Sequence, residues 1–304
     1  MSPGPTIPSA GAGDGPAISA LPTLAGYRLV RLLGKGGLGE VYEALADDGT
    51  RVALKAFLLR GDDQGLAAAS FVREVSLGQR LVHPDIVRVL GSGCYGDYAY
   101  LAMEFVPGYD LREHTRPARL LPLPQVLRTM ERVTRAVGAA HERHVIHRDL
   151  KPGNVLVHWP SDTVKVADFG LARLGDAFRS RTGIIAGTPW YMSPEQLAES
   201  PIGPASDLYA LGVMLFELVV GRLPHEASSL GQLLIQVTSH VAPRLSELRA
   251  GLPPGLEALV ASLLEKRAGA RPSSAAAVAD SLATLRSTLD APDRCTVAVR
   301  NHGA

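Results

Sequence analysis

The chain has 304 residues, of which 46% are hydrophobic, so it can bury one large core or two smaller ones. Its 31 basic and 30 acidic residues leave a net charge of +1, and without an overall field no nucleic-acid partner is expected. Cys94 and Cys295 lack the spacing of a zinc site or a disulfide framework, and no stretch is typical of a membrane span or signal peptide, so we expect a cytoplasmic protein.

The first 26 residues are mostly Pro, Gly, Ala and Ser and predict a disordered leader. A strand predicted at 27–33 leads into the glycine-rich stretch Gly34-Lys35-Gly36-Gly37-Leu38-Gly39-Glu40-Val41. Glycines let a backbone close over the phosphates of a nucleotide and offer N–H groups to them. Tight turns and dinucleotide folds use similar glycines, but here 41–44 continues as a strand, where a dinucleotide fold would open a helix.

The next predicted strand, 51–57, surrounds Lys55 with apolar residues. A buried ammonium group needs a partner, and Glu74 in the helix-like run 71–78 is the candidate. The alternatives are an edge-strand lysine and a solvated helix glutamate. Strands at about 86–90 and 98–105 complete a predicted five-stranded antiparallel unit, which ends at a hinge in Met103-Glu104-Phe105-Val106-Pro107-Gly108.

A helix predicted between Pro124 and Arg143 leads to His147-Arg148-Asp149-Leu150-Lys151-Pro152-Gly153-Asn154. His-Arg-Asp alone is a common accident of charged loops, but the full octapeptide fits a phosphoryl-transfer loop. Asp149 would accept a hydroxyl proton, Lys151 would neutralise the transferring group and Asn154 would hold a metal ion. A hairpin predicted at 155–157 and 163–167 is followed directly by Asp168-Phe169-Gly170. The carboxylate of Asp168 and the side chain of Asn154 would both supply oxygen ligands to Mg²⁺.

These motifs, in this order, resemble the eukaryotic-type Ser/Thr protein kinases over residues 27–287. The resemblance implies an α+β fold of two lobes: an antiparallel β N-lobe at 27–106 with one main helix, and a mainly helical C-lobe at 107–287, followed by a tail at 288–304. It implies an enzyme that transfers the γ-phosphoryl group of ATP, with Mg²⁺, to Ser and Thr hydroxyls of proteins. The sequence leaves homodimerisation open.

The site residues that the resemblance implies fall into three groups. Asp149, Lys151, Lys55 and Glu74 are catalytic, with Glu74 orienting Lys55, and Asn154 and Asp168 bind the metal. Met103 stands at the gatekeeper position behind the adenine. The full set of predicted nucleotide contacts is Gly34, Lys35, Gly36, Gly37, Gly39, Val41, Ala53, Lys55, Met103, Glu104, Val106 and Leu156.

Residues 171–187 are expected to form an activation loop in which the enzyme phosphorylates itself at Thr182, with Ser180 as a second site. The resemblance also implies that Glu195 pairs with Arg271 and that Asp207 anchors the backbone of the catalytic loop. Further helices are predicted at 207–220, 230–237, 256–264 and 273–289, the last capped by Ser273.

Two other functions compete with an active protein kinase. A pseudokinase would use the same fold as a binding or scaffold module, but such modules usually lack one of the catalytic residues, all of which are present here. A small-molecule phosphotransferase of related fold is disfavoured by the segment 187–195, which presents a peptide substrate in the family that the chain resembles.

Overall fold

The computed structural model describes residues 23–36, 39–58, 75, 79–169 and 189–290. The first lobe is one antiparallel sheet, with strands β1 to β6 at Thr23–Leu24, Tyr27–Gly36, Gly39–Leu45, Arg51–Leu58, Val89–Tyr95 and Tyr98–Glu104. Their order in the sheet is β1-β2-β3-β4-β6-β5. Apolar side chains pack on both faces, with Leu54 on one side and Phe57 and Leu101 on the other, so the central strands are buried on two faces.

Two boundaries of this lobe differ from the prediction. The prediction of a disordered leader up to residue 26 is wrong at its end, because Thr23 and Leu24 form a sixth strand, which pairs with β2 through a turn with positive φ at Ala25 and Gly26. Leu24 is fully buried, and that one apolar side chain fixes the short strand. The strand predicted at 86–90 instead runs from Val89 to Tyr95, since Ile86 makes only an isolated bridge to Val166 of the second lobe.

The second lobe is mainly helical. Its helices, α1 to α7, span Leu123–His141, Pro194–Leu197, Pro204–Val220, Leu230–Ser239, Leu245–Leu248, Leu256–Leu263 and Ala275–Asp290. Helix α3 is apolar on every side and nearly all of it is buried, so it forms the centre of the lobe. The predicted capping residue of α7 is wrong by one position, because the hydroxyl of Ser274, not that of Ser273, accepts from the N–H of Ala277.

A small antiparallel sheet lies where the lobes meet. Its strands β7, β8 and β9 are Tyr109–Asp110, Val155–His158 and Thr163–Val166, so the predicted hairpin is present with one extra strand. Gly108 precedes it with φ +126°, and a Cβ there would lie 2.1 Å from the carbonyl oxygen of Val157, so only glycine fits. The predicted two-lobed α+β architecture is confirmed; the N-lobe helix predicted at 71–78 lies outside the described residues apart from buried Val75.

None of the helices within the described ranges is long and apolar enough to cross a membrane.

Candidate active site

The catalytic loop is held by a buried carboxylate, as predicted. The Oδ2 atom of Asp207 accepts from the backbone N–H of His147 at 2.8 Å, and its Oδ1 atom accepts from that of Arg148 at 2.9 Å. His141, at the end of α1, lies 2.8 Å from the same Oδ2 atom. Arg148 has φ +67°, a left-handed conformation that costs free energy in a residue with a side chain. The two backbone hydrogen bonds that Asp207 accepts compensate that cost.

His147 connects this loop to the segment that follows β9 and carries Asp168. The His147 ring is fully buried; its Nδ1 atom accepts from the backbone N–H of Asp149 at 3.3 Å, and its Nε2 atom lies 2.9 Å from the carbonyl oxygen of Ala167. Because Nδ1 accepts, Nε2 carries the proton and donates. The ring also packs on Phe169, with 4.6 Å between centroids. His147 therefore ties the catalytic loop to the segment just before Asp168, within the second lobe.

Asp149 lies within a set of polar contacts at the mouth of the loop. Its Oδ2 atom accepts from Lys151 Nζ at 2.7 Å and from Asn154 Nδ2 at 3.3 Å. Asn154 Nδ2 also donates to the carbonyl oxygen of Asp149 at 2.7 Å. The three polar side chains predicted from the octapeptide are thus adjacent, with the Asp149 carboxylate still partly open to solvent.

Lys55 of β4 reaches across the cleft to Asp168, with 2.7 Å between Nζ and Oδ2. Burial opposes the charged form of Asp168, but the adjacent Lys55 ammonium outweighs it and holds the pKa of the carboxyl below its ordinary value. Asp168 has φ +65°, a second strained backbone position at the site. Glu74, the predicted partner of Lys55, lies outside the described residues.

The donor atoms fit the predicted magnesium ion. Since Asn154 uses its amide nitrogen to contact Asp149, its side-chain oxygen remains to bind a cation. Asp168 is ionised and uses only Oδ2 for Lys55. The backbone N–H of Ala167 donates to the carbonyl oxygen of Asn154 at 2.8 Å, which ties the two residues' segments together. A hard cation takes such oxygen ligands, with water and phosphate oxygens completing its shell.

The glycine-rich stretch forms the turn end of the β2–β3 hairpin, with Gly34 paired to Val41 and Gly36 to Gly39. A Cβ on Gly34 or Gly36 would meet no atom of the described residues within 4 Å, so among these residues the space over the two glycines is open for a ligand. Gly39 differs: its φ is +142° and a Cβ would lie 2.1 Å from the carbonyl oxygen of Ala56. Gly37 lies outside the described residues.

Four predicted nucleotide contacts come together in one apolar cluster across both lobes. Ala53 of β4 pairs with Met103 of β6, Met103 is buried, and partly exposed Ala53, Val106 and Leu156 pack against the same cluster. Val41 lies beside Lys55 in the sheet register. These residues can form the apolar wall of a nucleotide site.

Two predicted nucleotide contacts use their side chains elsewhere. Lys35 Nζ lies 2.8 Å from Glu40 Oε1 and is largely exposed. Glu104 accepts from Lys165 Nζ at 2.7 Å and from the backbone N–H of Arg88 at 2.7 Å, so its side chain braces the hinge.

The segment after 188 is tied to the catalytic loop and to the core of the lobe. Ser193 and Gln196 form a capping box at α2, and Gln196 Nε2 donates to the carbonyl oxygen of Arg148 at 2.7 Å. Glu195 and Arg271 form the predicted ion pair, bidentate at 2.7 and 2.9 Å. The arginine holds the pKa of the buried Glu195 carboxyl at about 2.

Sequence reasoning missed three residues at this site: His141, Gln196 and Lys165. Ser-x-x-Gln at the start of a helix is a recognisable capping signal, so the capping role of Gln196 could be predicted from the sequence. Its bond to Arg148, and those of His141 and Lys165, join residues more than 40 positions apart and have no local signature.

Glu217 of α3 is a buried acid beside this segment. Its Oε2 atom accepts from the hydroxyl of Tyr191 at 2.6 Å, and its residue is 8% exposed. Burial raises the pKa of Glu217 to about 7, although the Tyr191 hydrogen bond works in the opposite direction.

A pH-dependent stability follows from Glu217. The pKa of Glu217 in the folded protein lies above the ordinary value of 4.5. Its contribution to the free energy of unfolding is therefore fully present below pH 4.5 and is lost as the pH rises to about 7. At about 1.4 kcal/mol per pKa unit, the loss is on the order of 3 kcal/mol. We expect Glu217→Gln, measured by urea unfolding, to be more stable than the wild type above pH 7 and equal to it below pH 4.5. Glu226→Gln, at an exposed position, is the control; equal pH slopes for wild type and Glu217→Gln would contradict this assignment.

Comparison with known proteins agrees with this geometry. Residues 27–282 match the model of the protein kinase domain family. The chain therefore belongs to the protein kinase family. It is 37% identical to serine/threonine-protein kinase pkn2 of Myxococcus xanthus over 281 residues, covering 87% of this chain and 33% of that protein. It is 36% identical to serine/threonine-protein kinase PknA of Mycobacterium tuberculosis, covering 87% of this chain and 62% of that protein.

The chain is also 38% identical to serine/threonine-protein kinase pkn3 of Myxococcus xanthus, covering 83% of this chain and 48% of that protein. It thus spans between one third and about three fifths of the length of these relatives. Within the family, the resemblance is to bacterial Ser/Thr kinases.

Proposed function

We propose that this chain is an active Ser/Thr protein kinase that transfers the γ-phosphoryl group of ATP to protein hydroxyls and uses Mg²⁺. The observation that carries the proposal is the Lys55–Asp168 ion pair at 2.7 Å, which unites the two lobes opposite Asp149, Lys151 and Asn154. Because the substrate is ATP, we place the reaction in the cytoplasm.

Each group has a defined part in the proposed reaction. The Asp149 carboxylate accepts the proton of the attacking hydroxyl, and Lys151, 2.7 Å from it, offsets negative charge on the transferring group. When ATP binds, Lys55 leaves Asp168 and pairs with the phosphates of ATP. These phosphates lie in the open space over Gly34 and Gly36. Asn154 and Asp168 would hold Mg²⁺, which neutralises charge on the phosphate oxygens when bound.

The choice of hydroxyl is inferred from Lys151, two residues after Asp149, and from Thr188, which lies outside the described residues. Tyrosine kinases typically place different residues after their catalytic aspartate.

The proposed activity and its Ser/Thr specificity are tested by incubating the purified protein with Mg²⁺, labelled ATP and a general protein substrate, followed by mass spectrometry. We expect phosphoserine and phosphothreonine from the wild type and none from Asp168→Asn. Phosphotyrosine as the main product would overturn the specificity, and equal activity of Asp168→Asn would overturn the site.

We further propose that the enzyme activates itself at Thr182, with Ser180 as a second site. Both lie outside the described residues, as does Arg173, a candidate partner. Arg148 supports the proposal, because its guanidinium has no hydrogen-bond or ion-pair partner among the residues whose structure is described, although its backbone is fixed beside Asp149. A phosphate on Thr182 would supply up to two negative charges for it.

The expected result is that Thr182 is phosphorylated in enzyme incubated with ATP, and that Thr182→Ala with Ser180→Ala lowers peptide phosphorylation. Arg148→Ala should lower the activity of the phosphorylated enzyme to that of the double variant. When Arg148→Ala is added to the double variant, the activity should fall no further. Full activity of the double variant, measured on a peptide substrate, would show that this loop is not regulated in this way.

A further inference from the structure

Arg112 lies against the catalytic loop, beside Gly153, which follows Asp149 by four residues. It belongs to a short 3₁₀ helix, Leu111–His114, that contacts the turn Pro152–Asn154. Its Nε atom is 3.2 Å from where a Cβ on Gly153 would stand, so the missing side chain of Gly153 makes room for it. Tyr191, which follows the proposed activation loop, is close enough to interact electrostatically with the same guanidinium.

The guanidinium covers the neighbouring carboxylate of Asp110, which would otherwise be more open to solvent. Arg112 Nε and Nη2 donate to Asp110 Oδ1 and Oδ2 at 2.8 and 2.7 Å, and the backbone N–H of Arg112 adds a third bond at 3.0 Å. The hydrogen bond to Asp110 is the main cause that raises the pKa of Arg112. The Arg112 side chain is 72% exposed, but that of Asp110 only 21%. The cation therefore faces outwards, with N–H donors that Asp110 does not use.

The other carboxylates of this region also have partners. Glu113 pairs with Arg119, and Glu217 is buried against Tyr191. A lysine or arginine of a substrate would find no uncompensated carboxylate in this part of the described surface. A glutamate or aspartate would find the free edge of the Arg112 guanidinium, whose planar donors suit a carboxylate.

We propose that Arg112 is a specificity-determining residue that favours protein substrates with an acidic residue near the phosphorylated Ser or Thr and disfavours a basic one there. This rests on the proposed kinase function. Charge-assisted hydrogen bonds of this kind support a preference of about 10-fold in kcat/KM. The preference resides in KM, since Arg112 binds the substrate away from the transferring phosphate.

The test uses acceptor peptides that carry either Glu or Lys at each flanking position in turn. The wild type should favour Glu over Lys by about 10-fold in kcat/KM at one or more positions. In Arg112→Ala, Asp110 is uncovered and the preference should reverse at those positions. Adding Asp110→Asn to Arg112→Ala removes both charges and should leave Glu and Lys peptides nearly equal.

Arg128→Ala is the matched control, because Arg128 is an exposed arginine of the same lobe that pairs with Asp162, at the turn between β8 and β9, instead of with a carboxylate of the Arg112 segment. It should keep the wild-type preference. Arg112→Gln, which retains much of the side chain's length, guards against a folding defect in the alanine variant. An unchanged Glu-to-Lys ratio in both Arg112 variants would overturn this inference and leave the kinase function standing. Failure of the wild type to phosphorylate any peptide would instead overturn the kinase function itself.

Discussion

Replacing Asp149 by Asn is expected to lower phosphoryl transfer by about 100-fold or more, the scale of general-base effects, while ATP still binds. The amide cannot accept the hydroxyl proton in the way a carboxylate does. It also loses the ion pair with Lys151, whose Nζ lies 2.7 Å from Oδ2. Nucleotide affinity should change little, since Lys55 and the glycine-rich hairpin lie on the other lobe.

The control for that change is Asp162→Asn. Asp162 is an exposed aspartate with φ +49°, a conformation that asparagine also tolerates, and it pairs with Arg128 on the surface. Phosphoryl transfer and ATP binding are measured on both variants in the same preparation. Near-normal turnover by Asp149→Asn would remove Asp149 from the reaction.

Arg271→Ala is expected to lower the free energy of unfolding by roughly 3–5 kcal/mol, because it leaves a buried carboxylate without its cation. The Arg271 side chain is 0% exposed and holds Glu195 through two hydrogen bonds. It also donates to the carbonyl oxygens of Ala205, Glu265 and Lys266. Its guanidinium stacks over the Tyr209 ring at 5.1 Å.

The pH dependence separates this ion pair from simple loss of packing. Arg271 holds the folded pKa of Glu195 at about 2, below the ordinary 4.5, so the stability from this pair is present above pH 4.5 and is lost as the pH falls to about 2. In urea unfolding, the free energy of unfolding of Arg271→Ala should therefore fall less than that of the wild type between pH 4.5 and about 2. Arg267→Ala, at an exposed neighbouring position, should behave as the wild type. If Arg271→Ala were as stable as Arg267→Ala, the pair would have no structural role.

The sequence predicted those parts of the site that local patterns specify. The octapeptide around Asp149 and the hairpin before Asp168 each occupy one short segment, and resemblance to a family supplied the partners Asp207 and Arg271. Strand β1 was missed because two residues and one buried side chain, Leu24, leave almost no periodicity. The contact of Arg112 with Gly153 was missed because it joins two turns that only the folded chain brings together.

Whether this site transfers phosphate or only binds nucleotide is tested most directly by a single-turnover experiment with limiting γ-labelled ATP, excess enzyme, Mg²⁺ and an acceptor peptide. We expect the label to move to serine or threonine of the peptide, with Asp149→Asn binding the ATP but leaving the label on it. ATP that stays bound and intact on the wild-type protein would contradict the proposal and identify the chain as a binding module on the kinase fold.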